Sequence, residues 1–126
     1  MMEGHEHSAP AVFALETSLY FPAPLREIDL KEIITAFLSD CSAGLRSMGF
    51  TLIGHIKGLI ASDEKGHLAF GITSFGERPS FKGQIIDEVM KALFAINIIV
   101  FGVESTIVDA VFHESFHTQF SRPRGG

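Results

Sequence analysis

A single helix-periodic stripe set between stretches of strand periodicity limits this chain more than any other feature. Ile33, Ile34, Phe37, Leu38, Cys41, Leu45 and Met48 recur at the spacing of one helix face. Asp29 stands ahead of them as a predicted N-cap, Glu32 follows three residues later as in a capping box, and Gly49 supplies the stop. A helix with one apolar stripe must bury it against a second layer. The flanking residues predict that this layer is a sheet. Phe13, Leu15, Leu19 and Phe21 alternate with Ala14, Glu16, Ser18 and Tyr20, and Pro22 and Pro24 are expected to end that strand. Beyond the helix, 50–61 and 67–75 read as a hairpin joined by the polar loop Ser62 to Gly66. Ile56, Ile60, Leu68, Phe70 and Ile72 fall on one face of it; His55, Lys57 and Thr73 fall on the other.

Ile85, Ile86, Val89, Met90, Leu93 and Phe94 give a second helical stripe, followed by a short apolar strand from Ile98 to Val103. The last segment, 105–119, fits either a helix capped by Ser105 or a strand, and the helix is favoured. The expected fold is therefore α+β, a ferredoxin-like β-α-β-β-α-β layout with an added C-terminal helix. Helices on one face of such a sheet leave the other face wet, or covered by the last helix or by another subunit.

With 126 residues, 46% of them apolar and 20% charged, the chain has material for one core and not for two. Residues 11–120 are read as that domain, with 1–10 as a flexible arm and 121–126 as a flexible tail. A net charge of −5 with scattered Lys and Arg excludes a nucleic-acid footprint, which needs a basic stripe. The stretch from Ala92 to Val103 contains Asn97 and falls well short of the roughly twenty apolar residues of a membrane span. The lone Cys41 has no partner for an internal disulfide, and no secretory signal pattern opens the chain, so a cytoplasmic setting is expected.

Three places carry candidate chemistry. Asp109, His113 and His117 sit four residues apart, which on a helix aligns a carboxylate and two imidazoles as a pair or triplet of zinc or nickel ligands, with Glu16 or His55 as a further ligand. Read without function, they are a solvated helix face. Gly54-His55-Ile56-Lys57-Gly58 places an imidazole and an ammonium on one side of a strand, as an acid–base pair or an anion site, while its glycines mark close packing or a bulge. The loop Gly76 to Gly83 delivers Arg78, Ser80 and Lys82 to the predicted start of the second helix, where free N–H groups favour an anion. It has neither the spacing of a phosphate-binding P-loop nor that of a dinucleotide fold. Cys41 belongs to the apolar stripe and reads as a core thiol, and His5-Glu6-His7 as a solvated tail. The expected function is a self-associating module that binds a small anionic ligand, or a regulatory module of that kind; the alternative is a divalent-metal-binding protein or metal-dependent enzyme built on Asp109, His113 and His117.

Overall fold

The computed structural model describes residues 10–49, 52–101 and 105–120. All but one residue of the expected N-terminal arm, and the whole of the expected tail, lie outside them. The elements run β1 (Ala11–Leu25), α1 (Glu27–Ser47), β2 (Leu52–Ser62), β3 (Gly66–Ile72), β4 (Ser80–Ile85), β5 (Val89–Phe101) and α2 (Ser105–Phe120). The strands form one sheet in the order β1-β5-β2-β3-β4, with every neighbouring pair antiparallel.

This architecture is α+β, but it overturns the expected ferredoxin-like layout. The predicted second helix does not form: its residues close β4, make a turn and open β5. Of the six residues in the supposed stripe, Ile86, Met90 and Leu93 are exposed, while from Ala92 onward burial alternates through Phe94, Ile96, Ile98 and Val100. The β-branched residues of that run suit a pleated strand packed under a helix layer. The turn is marked by Asp87, which takes the left-handed conformation (φ 65) that Asp tolerates better than most residues. Two contacts tie it to the β2–β3 turn: Ile86 N–H donates to the Lys65 carbonyl at 2.7 Å, and Lys65 Nζ lies 3.4 Å from Asp87. With a strand in place of the helix, β5 inserts between β1 and β2, and those two run parallel on either side of it.

Two smaller expectations also change. Pro22 and Pro24 do not end β1, which continues to Leu25; it is an edge strand, where missing N–H donors cost no ladder bonds, and its register with β5 shifts between Tyr20 and Leu25. Asp29 is not the N-cap of α1 but its third residue, where its carboxylate accepts the Arg26 N–H at 2.9 Å. The stop lies where the sequence put it, at Gly49 with φ 103.

Both helices lie on one side of the sheet. Leu30, Ile33, Ile34, Phe37, Leu38, Cys41 and Leu45 of α1 are buried, as are Val108 and Phe112 of α2. The Phe112 ring lies 4.6 Å from that of Phe13, on the same sheet side as Phe94, whose ring meets Phe37 edge-on at 6.2 Å. Gly44 lets the helices approach, since a Cβ there would come within 2.8 Å of Val111 Cγ1. Cys41 is wholly buried in this layer; burial, with a smaller push from Asp40, raises its thiol to about 12, so it is a packing group and not a nucleophile.

Candidate functional site

Among the described residues, nothing covers the sheet face opposite the helices. Strand alternation and the pairing registers define it row by row. Glu16, Ala95, Leu59, Ala69 and Lys82 are successive cross-strand neighbours from β1 to β4. The next row toward the end of β2 that begins the strand is Ala14, Asn97, Lys57, Gly71 and Ser80, and the next in the opposite direction is Ser18, Leu93, Ala61, His67 and Gln84. Small residues, Ala14, Ala61, Ala69, Ala95 and Gly71, keep the face low between Leu59 and Leu93, and Lys57 stands on its middle strand.

The distribution of charge is the most informative property of this face. Lys57, Lys82, Lys91, His55 and His67 all project from it, and Glu16 is the sole carboxylate on any of the strands. The other described acids lie on the helices and in the turns of a chain whose net charge is −5. An anion approaching the strands therefore meets a basic surface on an acidic protein. Three shallow depressions mark it: one of about 230 Å³ beside Lys57, Leu59 and Asn97, one of about 390 Å³ beside Glu16, Ala14 and Asn97, and one of about 490 Å³ where Lys91, Ser18 and Leu93 meet the turn carboxylates Asp63 and Glu64.

His55 and Lys57 are thus neighbours on an exposed face, with Glu16 two strands away. The glycines around them have packing roles. Gly58 points to the helix side, where the Phe70 ring crosses it, and Gly54 falls in the register shift between Ile53 and His55, tight against Ile99. Lys91 falls in the stretch whose spacing predicts a helix, Asn97 falls between that stretch and the strand expected from Ile98, and His67 lies on the hairpin. His67 alone had a usable signal, since it shares the parity of Lys57 across the hairpin.

Arg78, Ser80 and Lys82 are not at a helix N-terminus, because the chain enters β4 there; the expected free N–H groups and dipole are absent. The three also part company. Ser80 and Lys82 belong to the basic sheet face, whereas Arg78 lines an open groove of about 670 Å³ beside α1, with Ile28, Lys31, Glu32 and Phe81. The loop before β4 is organised by Glu77, whose Oε1 accepts the N–H groups of Thr73 at 2.6 Å and Ser74 at 3.1 Å. Those donors hold its carboxyl below the ordinary range. Glu27 does the same between elements: it accepts the Ile85 N–H at 2.8 Å and pairs with Lys31 at 3.1 Å, which lowers its carboxyl too.

On α2, His113 Nε2 contacts Asp109 Oδ1 at 2.9 Å, with both side chains more than half exposed. The helix packs on the side of the sheet away from His55, so the last helix neither covers the open face nor brings His113 and His117 over His55. Among the described residues no three His, Cys, Asp or Glu side chains are grouped to hold a metal ion. No helix among them is long and apolar enough to cross a membrane.

No family model and no curated protein matches the chain. Two solved structures show a slight likeness: a Zn(II)-bound triple mutant of YjiA GTPase (13% identity, TM-score 0.41) and Zn(II)-bound YjiA GTPase from E. coli (11% identity, TM-score 0.38). Each alignment covers 82% of this chain and 29% of that chain. Likeness of this size supports no inference about this chain's fold or activity.

Proposed function

We propose that the chain is a small-anion-binding module that self-associates through its open sheet face, acting in the cytoplasm as a ligand-responsive or regulatory unit. The observation that carries the reading is the charge around the middle of the exposed face: Lys57, Lys82, His55 and His67 stand there against Glu16, while the turn carboxylates Asp63 and Glu64 border the face only at its far end, beside Lys91. Lysine ammonium groups are unspecific point charges, so the class of ligand is a compact oxyanion or carboxylate rather than a planar partner that needs a bidentate fork. The low Ala and Gly centre favours a flat partner over a deeply buried small molecule. The shallow depression beside Lys57 and Asn97 gives the anion its place.

Calorimetric titration with inorganic phosphate and with citrate at low ionic strength tests this. Saturable binding is expected, weakened roughly tenfold by Lys57→Gln, the loss of one charge-assisted contact worth about 1.4 kcal/mol. Absence of saturable heat, together with a strict monomer by light scattering at high concentration, would retire the reading. The second reading is a divalent-metal site at Asp109, His113 and His117, of which the 2.9 Å contact brings together Asp109 and His113 alone. An exposed pair of this kind is also an ordinary helix-surface interaction. Elemental analysis of untagged protein, compared with a His113→Ala/His117→Ala variant, separates the two.

A further inference from the structure

The middle strand of the sheet is β2, with two strands on each side of it. Turning a second copy over about an axis that runs along β2 brings the two open faces together with each row meeting itself in reverse. In the Leu59 row, Leu59 meets its own copy, Ala95 and Ala69 exchange places, and Glu16 of each copy comes opposite the partner's Lys82. The alternative two-fold, with its axis across the strands, sets Glu16 on Glu16 and Lys82 on Lys82. Opposed charges thus select the axis along β2. Aligned sheets pack about 10 Å apart with their strands turned by about 30°. Glu16 and Lys82 lie two strands from the axis, about 10 Å, so that turn offsets them by roughly 5 Å, within reach of a lysine stem.

The same axis creates one conflict. In the adjoining row Lys57 meets the partner's Lys57, while Asn97 comes over Gly71, whose lack of a side chain leaves room. Two ammonium groups brought together and removed from water repel unless an anion lies between them. We propose that the chain forms a two-fold dimer through its open sheet faces, and that a compact divalent oxyanion such as phosphate or sulfate binds on the axis between the two Lys57 side chains. This rests on the anion-binding reading above and deepens it. The site is incomplete in one copy, and the oxyanion becomes a condition of assembly: its binding and dimerisation are linked, each strengthening the other by the same factor.

Sedimentation equilibrium at fixed ionic strength, with phosphate exchanged for chloride, tests the pairing and the linkage. Phosphate is expected to lower the dimer dissociation constant at least tenfold in the unaltered chain. Lys57→Met is expected to dimerise equally well in either salt. Glu16→Lys and Lys82→Glu, each an exposed substitution checked by circular dichroism, are expected to weaken dimerisation tenfold or more, and the double exchange to restore it to within about threefold. A dimer indifferent to these exchanges overturns the two-fold pairing while leaving self-association standing. Phosphate that still binds Lys57 in a strict monomer overturns the linked dimer while leaving anion binding. Neither binding nor association overturns both. A Lys57→Met dimer that still requires phosphate overturns the placement of the oxyanion.

Discussion

Phe37→Ala is expected to remove about 3–5 kcal/mol of unfolding free energy, the cost of deleting a buried aromatic ring and leaving the void behind. The side chain is completely buried on α1, and its ring contacts come from two elements: Phe94 on β5 at 6.2 Å, and Phe112, Phe116 and Phe120 on α2 at 5.7, 6.4 and 5.7 Å. No single neighbour can move into the space without leaving its own partners, so the cavity stays largely open. A domain of this size has about 5–15 kcal/mol of stability in all, which puts the variant near its unfolding transition at physiological temperature. Denaturant unfolding followed by circular dichroism measures the loss. Ile28→Ala is the control, since Ile28 lies on the same helix but is 60% exposed, and it should stay within about 0.5 kcal/mol.

Gly58→Ala is expected to cost about 1–3 kcal/mol through overpacking, although it adds one methyl group. A Cβ at this position overlaps Phe70 Cζ and comes within 2.6 Å of the Ala95 carbonyl oxygen. The ring could turn aside only by giving up its stack on Phe94 at 6.0 Å, and the carbonyl belongs to β5, which is held between β1 and β2 and cannot retreat. Gly71→Ala provides the contrast. Its nearest neighbour would be the Ile56 carbonyl oxygen at 3.2 Å, and its side chain would enter the open face, so the drop in denaturation midpoint should be smaller. Equal losses at the two positions would show that the glycines answer to backbone freedom and not to the ring packed on Gly58.

The parts of the fold legible in the sequence are those with one dominant period. The α1 stripe, the hairpin of β2 and β3, and the helical alternative for 105–119 each correspond to an element observed. The stretch from Ile85 to Phe94 was misread because its apolar residues satisfy a helix and, once Asp87 takes a left-handed turn, a strand bend equally well. Edge position, which makes Pro22 and Pro24 harmless in β1, is a property of the assembled sheet and leaves no local mark. The candidate site was legible in the same partial way. Alternation alone set His55 and Lys57 on one side of a strand. That Glu16, Lys82 and Asn97 share their face depends on strand order and register, which pair residues far apart in the chain, such as Glu16 with Ala95. Arg78 was grouped with Ser80 and Lys82 by proximity in sequence, yet strand geometry divides them between a groove beside α1 and the open face.

The claim on which the functional account rests is that the open sheet face is the binding surface. Two-dimensional NMR of the amide-labelled protein during titration with phosphate tests it residue by residue. The expected result is a saturating set of shifts centred on Lys57, Asn97 and Gly71, reaching the neighbouring residues of β2, β3 and β5. Shifts confined to the groove around Arg78 and Phe81, or to α2 around Asp109 and His113, would contradict it.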